Sequence, residues 1–236
     1  MLHVFFCMNR RLEKITQYIN YGLGTVDVGT DHGYLPVYLA KNGYTGNIIA
    51  TDIRPKPLDA ARRSARAAGQ SERISFLLCD GLELCPPDKV DTIVIAGMGG
   101  DTICGILDRA EWSWSSDYFH IYQPMTKPHV LRYWLIYNGF KILSEGLVKD
   151  SGVIYPVITA RFGGETKLSD GELFVGSYEL SGREELFNEY RAEQITRLEN
   201  MLGGMNRSGG MQNTARRDII KNVLYELQNY PEGRTE

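Results

Sequence analysis

Thr25-Val26-Asp27-Val28-Gly29-Thr30-Asp31-His32-Gly33-Tyr34-Leu35-Pro36 is the stretch that decides how this chain folds. Its first four residues begin an extended run. Gly29 and Gly33 then permit a tight turn and a close approach of backbone to a ligand, and a helical pattern follows over 34–42. A strand, a glycine-bearing turn and a helix make the opening half of a strand–helix–strand unit. Working outward, the same alternation continues in both directions. Strands are expected over 25–28, 47–51, 74–78, 91–96, 119–122, 140–148 and 153–161. Helices are expected over 56–68, 101–109 and 127–138, and one over 10–19 precedes the first strand. Short strands alternating with helices imply a parallel, doubly wound α/β sheet.

The last two strands break the rule, because only Lys149 to Gly152 separate them. They are expected to pair as an antiparallel hairpin at the sheet edge. A doubly wound, Rossmann-like sheet that ends this way is the plan of class I methyltransferases, whereas dinucleotide dehydrogenases usually stay parallel. After Gly163-Gly164 the pattern changes. Residues 165–182 are polar without a clear period, except for a short apolar stretch, Leu173 to Val175, and apolar positions then recur at spacings of three and four over 183–202 and 214–229. The glycine-rich segment 203–210 between them reads as a flexible turn. The expected organisation is therefore a methyltransferase-type domain over 1–164 and an antiparallel pair of helices within 165–236.

Composition narrows the function classes. Of 236 residues, 43% are hydrophobic and 23% charged, near the average of soluble domains. The net charge of −3 gives no global sign of nucleic-acid binding. Positive charge is gathered locally: Arg54, Lys56, Arg62, Arg63, Arg66 and Arg73 face only Asp59 and Glu72 over 54–73. A solvated helix face and a phosphate-contacting one are both open readings of this stretch. Over 183–236 eight bases meet nine acids, so packing and RNA gripping stay open for the helical pair too. Cys7, Cys79, Cys85 and Cys104 show neither metal-ligand spacing nor a short disulfide framework, which fits a reducing compartment. His32, His120 and His129 suggest no metal site. Residues 2–8 are too short for a signal peptide, Met8 is a candidate start, and no run reaches the length of a membrane span. A cytoplasmic monomer without metal or membrane attachment is expected.

In an open parallel sheet, ligands bind beyond the carboxyl ends of the strands, where strand order reverses. The informative residues should follow the strands. Asp52 ends the second strand, 25 residues after Asp27, close to the spacing at which an acid accepts from ribose hydroxyls. A helix-starting surface aspartate is the alternative. Asp80-Gly81 ends the third strand and can serve an adenine amino group or a simple turn. Ile95-Ala96-Gly97-Met98-Gly99-Gly100 ends the fourth, and three glycines in four positions suggest a floor without side chains. Gln123 ends the fifth and can meet a base edge or cap the next helix. Asp31-His32 can be a catalytic pair or a polar turn.

At these residues the sequence resembles the bacterial tRNA (adenine-22-N1)-methyltransferases. The resemblance rests on Arg11-Leu12, the run Asp27 to Pro36, Asp80-Gly81-Leu82, Ile95 to Gly100 and Gln123-Pro124, and covers roughly residues 10–162. It implies a class I fold, S-adenosylmethionine as methyl donor, and N1 of adenine 22 in tRNA as acceptor. It also implies that Asp27, Gly29, His32, Gly33, Asp52, Ile53, Asp80, Gly81, Ala96 and Gly97 line the cofactor site. The chain departs from the family in Met125, where asparagine is common, and in Pro156, where glutamate is usual.

Adenine N1 is a neutral lone-pair nucleophile, so positioning should dominate over base catalysis. A carboxylate near the exocyclic amine would stabilise the charge that moves onto the ring, and Asp31 is the candidate. Tyr34, Met98, Gly99 and Gln123 are the candidates for holding the base, with Tyr122 as an alternative stacking ring. Arg62, Arg63 and Arg66 are the candidates for phosphates. Rival readings are a nicotinamide oxidoreductase, which predicts an absent Gly-x-Gly-x-x-Gly, a catalytically silent RNA-binding protein of the same fold, and a methyltransferase for another substrate.

Overall fold

The structure, a computed structural model, describes residues 8–20, 24–181, 185–208 and 214–230. Seven strands form one sheet in the order β3-β2-β1-β4-β5-β7-β6. They are β1 (Thr25–Val28), β2 (Ile48–Asp52), β3 (Ile74–Leu78), β4 (Thr92–Gly99), β5 (Phe119–Thr126), β6 (Phe140–Asp150) and β7 (Val153–Phe162). The first five are parallel, with Val26 opposite both Ile49 and Ile93. β7 runs antiparallel to β5 and to β6, the expected edge hairpin. Strand order reverses between β1 and β4, which leaves a crevice at their carboxyl ends.

Helices α1 (Arg10–Thr16), α2 (Tyr34–Lys41) and α3 (Pro55–Ala67) cover one face of the sheet. Their core holds Ile15, Leu35, Leu39 and Ala65 against Ile48, Val94 and Ile121. Helices α4 (Gly100–Asp108) and α5 (Pro128–Tyr137) cover the other, packing Ile103, Leu107, Leu131 and Leu135 against Ile93, Ile95 and Tyr122. Start signals are local. The Asn9 side chain caps α1 by accepting from Leu12 N, and proline opens both α3 and α5.

β4 and β5 run further than their apolar patterns suggest, to Gly99 and Thr126, with register irregularities where Gly97 falls. The segment after Gly164 contains a short helix, α6 (Asp170–Val175), that its polar composition conceals. Its signal is a capping box: Ser169 Oγ accepts from Glu172 N, and Glu172 Oε2 accepts from Ser169 N. Helices α7 (Phe187–Ser208) and α8 (Thr214–Gln228) form the expected antiparallel pair, with Gln228 beside Glu199 and Arg217 beside Met205. The turn, however, does not begin at Gly203. α7 continues through Gly203 and Gly204 because Leu202 and Met205 on either side still pack on the helical core, and that packing offsets the roughly 1 kcal/mol each glycine costs. Residues 209 and 210 of the expected turn lie outside the described residues.

The helices are fastened to the sheet by a buried ion pair. Arg132 of α5 and Glu145 of β6 have 0% and 2% exposed side chains. Arg132 donates through Nε and Nη2 to both carboxylate oxygens at 2.7–3.2 Å. Its Nη1 donates to the carbonyls of Leu173 (2.8 Å) and Phe174 (3.1 Å) in α6. Gly176, at φ +82°, passes so close that a Cβ there would strike Glu145 Oε2. Apolar residues Leu147 and Ile154 of the edge hairpin join the core of α6, α7 and α8. Cutting the chain at Gly164 would thus strip cover from a buried charge. Arg132→Met should lower stability by about 3–5 kcal/mol, since it strands the Glu145 carboxylate. The combined Arg132→Met and Glu145→Leu change should recover much of the loss. Urea unfolding of the two variants measures both.

Candidate active site

Two adjoining cavities open at the β1–β4 crevice. The larger, about 650 Å³, runs from Asp52 and Ile53 past Asp80 and Gly81 to α4. The smaller, about 290 Å³, lies between the β1 turn, α1 and the end of β5, with Asp27, Tyr34, Arg11 and Gln123 in its walls. Gly29, Asp31, Ala96 and Gly97 line both. Volumes of this size suit cofactor-sized ligands.

The turn after β1 is shaped by backbone conformation. Gly29 and Gly33 have φ +73° and +71°, and Asp31 itself lies in the left-handed region at φ +51°. A Cβ on Gly29 would collide with the tip of Met98, so the glycine makes room for that side chain. The Asp52 carboxylate stitches the turn to β2. Its Oδ2 accepts from the Asp31 amide at 3.3 Å and its Oδ1 from the Arg54 amide at 2.9 Å. Asp52 is 5% exposed, yet each oxygen keeps acceptor capacity toward the larger cavity. Asp31 Oδ2 lies 3.8 Å from His32 Nε2, both side chains being more than half exposed.

Asp27 is buried beneath this turn. Burial pushes its carboxyl up to about 6, the Thr30 hydroxyl opposes the rise, and the negative charge of Asp52 adds to it. Arg11 lines the smaller cavity with it. The guanidinium donates to Asp150 Oδ2 (2.8 Å) and to Gln123 Oε1 (3.2 Å), and lies over the Tyr155 ring. Met125 Sδ accepts from it as well, at 2.8 Å. Met125, one of the positions at which the chain departs from the family it resembles, therefore touches Arg11. Arg11 carries part of the sequence resemblance but has no part that the sequence reveals, because its partners lie 112 and 139 residues away.

Most expected residues converge here. Gly29, Asp31, Asp52, Ile53, Asp80, Gly81, Ala96, Gly97 and Met98 line the larger cavity, while Asp27, Tyr34 and Gln123 line the smaller. Others do not. His32 lines neither and stacks on Tyr34 at 5.5 Å. Gly33 opens α2 where a Cβ would press on Ala61 of α3, a packing role. The glycine floor narrows to Gly97, above which a Cβ would meet nothing within 4 Å. Gly99 and Gly100 instead permit close approach to Thr126 and Lys127. Gln123 is 1% exposed, and its amide nitrogen donates to the Pro124 carbonyl while its oxygen holds Arg11, so it braces the wall. Tyr122 is sealed in the core, leaving Tyr34 as the ring at the cavity. Arg62, Arg63 and Arg66 line neither cavity, and Arg62 covers Phe76 while donating to its carbonyl. Arg109 of the α4 terminus is an unforeseen member of the larger cavity. Among the described residues no cluster of His, Cys, Asp and Glu could hold a metal ion, and no helix is long and apolar enough to cross a membrane.

Residues 8–158 match the family model described as a methyltransferase domain. A curated relative, the tRNA (adenine(22)-N(1))-methyltransferase of Bacillus subtilis strain 168, is 32% identical over 164 residues, which are 70% of this chain and 69% of that one. Among solved structures, the B. subtilis tRNA methyltransferase TrmK superposes with a TM-score of 0.84 at 25% identity, covering 95% of this chain and 98% of that one. The structure of M. capricolum TrmK in complex with S-adenosyl-homocysteine gives 0.78 at 26% identity, over 94% and 97%. With its edge hairpin, its switch-point crevice and this match, the chain belongs to the tRNA (adenine(22)-N(1))-methyltransferase family.

Proposed function

We propose that this protein transfers a methyl group from S-adenosylmethionine to N1 of an adenine in tRNA, adenine 22 by its family, in the cytoplasm. One observation carries the reading beyond family membership. Asp31 lines both cavities and its side chain is more than half exposed, which supports a carboxylate that reaches the acceptor beside the bound donor. The residues fit the cofactor. Asp52 keeps acceptor positions for ribose hydroxyls, Asp80 lies at the far end for an adenine amino group, and the open face above Gly97 admits a ligand against the backbone. Asp27 would face the amino group of the methionine portion and Arg11 its carboxylate.

The cofactor supplies an electrophilic methyl group. The protein's part is to hold adenine N1 in line with it, within about 3–3.5 Å. Tyr34, 37% exposed at the mouth, offers a ring for the flipped base. The Asp31 carboxylate would accept from the exocyclic amine and oppose the charge that develops on the ring. Arg63 and Arg66 are exposed on α3, the helix that Arg54 leads into from the larger cavity, and would meet tRNA phosphates there.

Asp31→Asn should lower the single-turnover methylation rate by about 10²-fold at saturating cofactor, while affinity for S-adenosylhomocysteine changes little. Asparagine tolerates the left-handed backbone as aspartate does, so the variant isolates charge from shape. An unchanged rate would make Asp31 a turn residue, and lost cofactor binding would make it a cofactor ligand.

Asp27 gives a pH test. Its carboxyl sits above the ordinary value of 3.8, at about 6, so the empty fold holds the proton up to about pH 6 and carries an unfavourable buried charge above it. Its stabilising share is complete below about pH 4 and is lost as pH rises through about 6. Asp27→Asn should therefore stabilise the ligand-free protein at pH 8 by up to about 3 kcal/mol. A cationic amino group needs the ionised form, so affinity for S-adenosylhomocysteine should fall from pH 7 to pH 5. Calorimetry should find that slope flattened in Asp27→Asn.

A further inference from the structure

Asp80 is not alone at the end of the larger cavity. Its Oδ1 accepts from Arg109 Nη2 at 2.9 Å, and Arg109 Nη1 donates to the Gly105 carbonyl at 2.7 Å. Asp80, Gly105 and Arg109 all line the cavity. Two anchors hold the guanidinium. The first is the carboxylate, and the second is a carbonyl in the last turn of α4, where the helix concentrates partial negative charge. A Cβ at Gly105 would sit in ordinary contact with Nη1, at 3.7 Å, so Nη1 lies against this residue. The guanidinium therefore lies along the helix beside the cavity. Oδ1 accepts from Arg109, while Oδ2 accepts from no group among the described residues and keeps both its acceptor positions for a ligand.

We propose that Arg109 is a positioning residue of the adenosine subsite. It fixes the Asp80 carboxylate in one orientation, so that its second oxygen meets the exocyclic amine of the cofactor's adenine, and it closes the outer end of the cavity. This rests on the cofactor reading above. A free aspartate at 40% exposure samples several rotamers, and ordering it on binding weakens affinity. Arg109 carries that ordering in advance. A lysine would keep the charge but not the planar fork that bridges a carboxylate and a carbonyl.

The test is a double-mutant cycle on the full-length protein, read by calorimetry with S-adenosylhomocysteine and its inosine counterpart. Arg109→Ala should weaken S-adenosylhomocysteine binding about two- to fivefold, as befits a partly exposed pair rather than a buried one. Arg109→Lys should fall between. In the background of Asp80→Ala, the Arg109→Ala change should have little further effect. The preference for adenine over hypoxanthine should shrink in Arg109→Ala, and in turnover the loss should appear in KM for S-adenosylmethionine rather than in kcat. Independent, additive losses would overturn the proposal, as would full affinity in Arg109→Ala beside a wild-type protein that binds. A wild-type protein without affinity for S-adenosylhomocysteine would overturn the cofactor reading itself, and this inference with it.

Discussion

The Arg132–Glu145 pair is the constraint around which the molecule is arranged. Two charges with essentially no exposure are tolerable only when every donor and acceptor is answered. The answers come from separate parts of the chain: α5, β6, the carbonyls of α6 and the Tyr190 side chain of α7. The backbone of Gly176 and the Leu180 carbonyl, which accepts from Glu145 N, complete the enclosure. The C-terminal segment thus takes its path from an electrostatic demand made by the sheet domain. α7 and α8 then pack on the platform so fixed, with Phe187, Tyr190 and Leu224 in a shared core with Leu147 and Ile154.

The active-site crevice follows from topology. Strand order turns outward between β1 and β4, so the two carboxyl ends diverge and leave space. Side chains near this point serve two purposes. Met98 fills the gap over Gly29 and walls the larger cavity. Gln123 continues β5 and braces Arg11. Asp52 ends β2 and holds the Asp31 amide, so the acid expected at the ribose also sets the backbone of the acid expected at the base.

Local patterns made the architecture legible and long-range contacts did not. Apolar periodicity placed every strand and the helices around the sheet, and the spacing over 149–152 foretold the edge hairpin. Glycine and proline hid the true ends of β4 and β5, because both are poor strand residues that only the neighbouring strand's hydrogen bonds rescue. α6 escaped because its signal is four residues long in polar company. At the site, residues that follow strands could be named from the sequence. Arg11 and Arg109 could not be given their parts, since each acts on a residue brought near only by the fold. Gly33, Gly99 and Gly100, which line neither cavity, show the opposite difficulty. A glycine that admits a ligand and one that admits a neighbouring helix or strand look the same in one dimension.

The left-handed backbone at Asp31 bears on how such a protein changes over generations. Few residues accept that conformation, and asparagine, a single nucleotide away, is among them. The position can lose its charge while the turn, the crevice and the helical platform remain intact. Folding alone therefore does not hold the charge at this codon; on the role proposed for Asp31, only selection on the reaction would keep the aspartate in place.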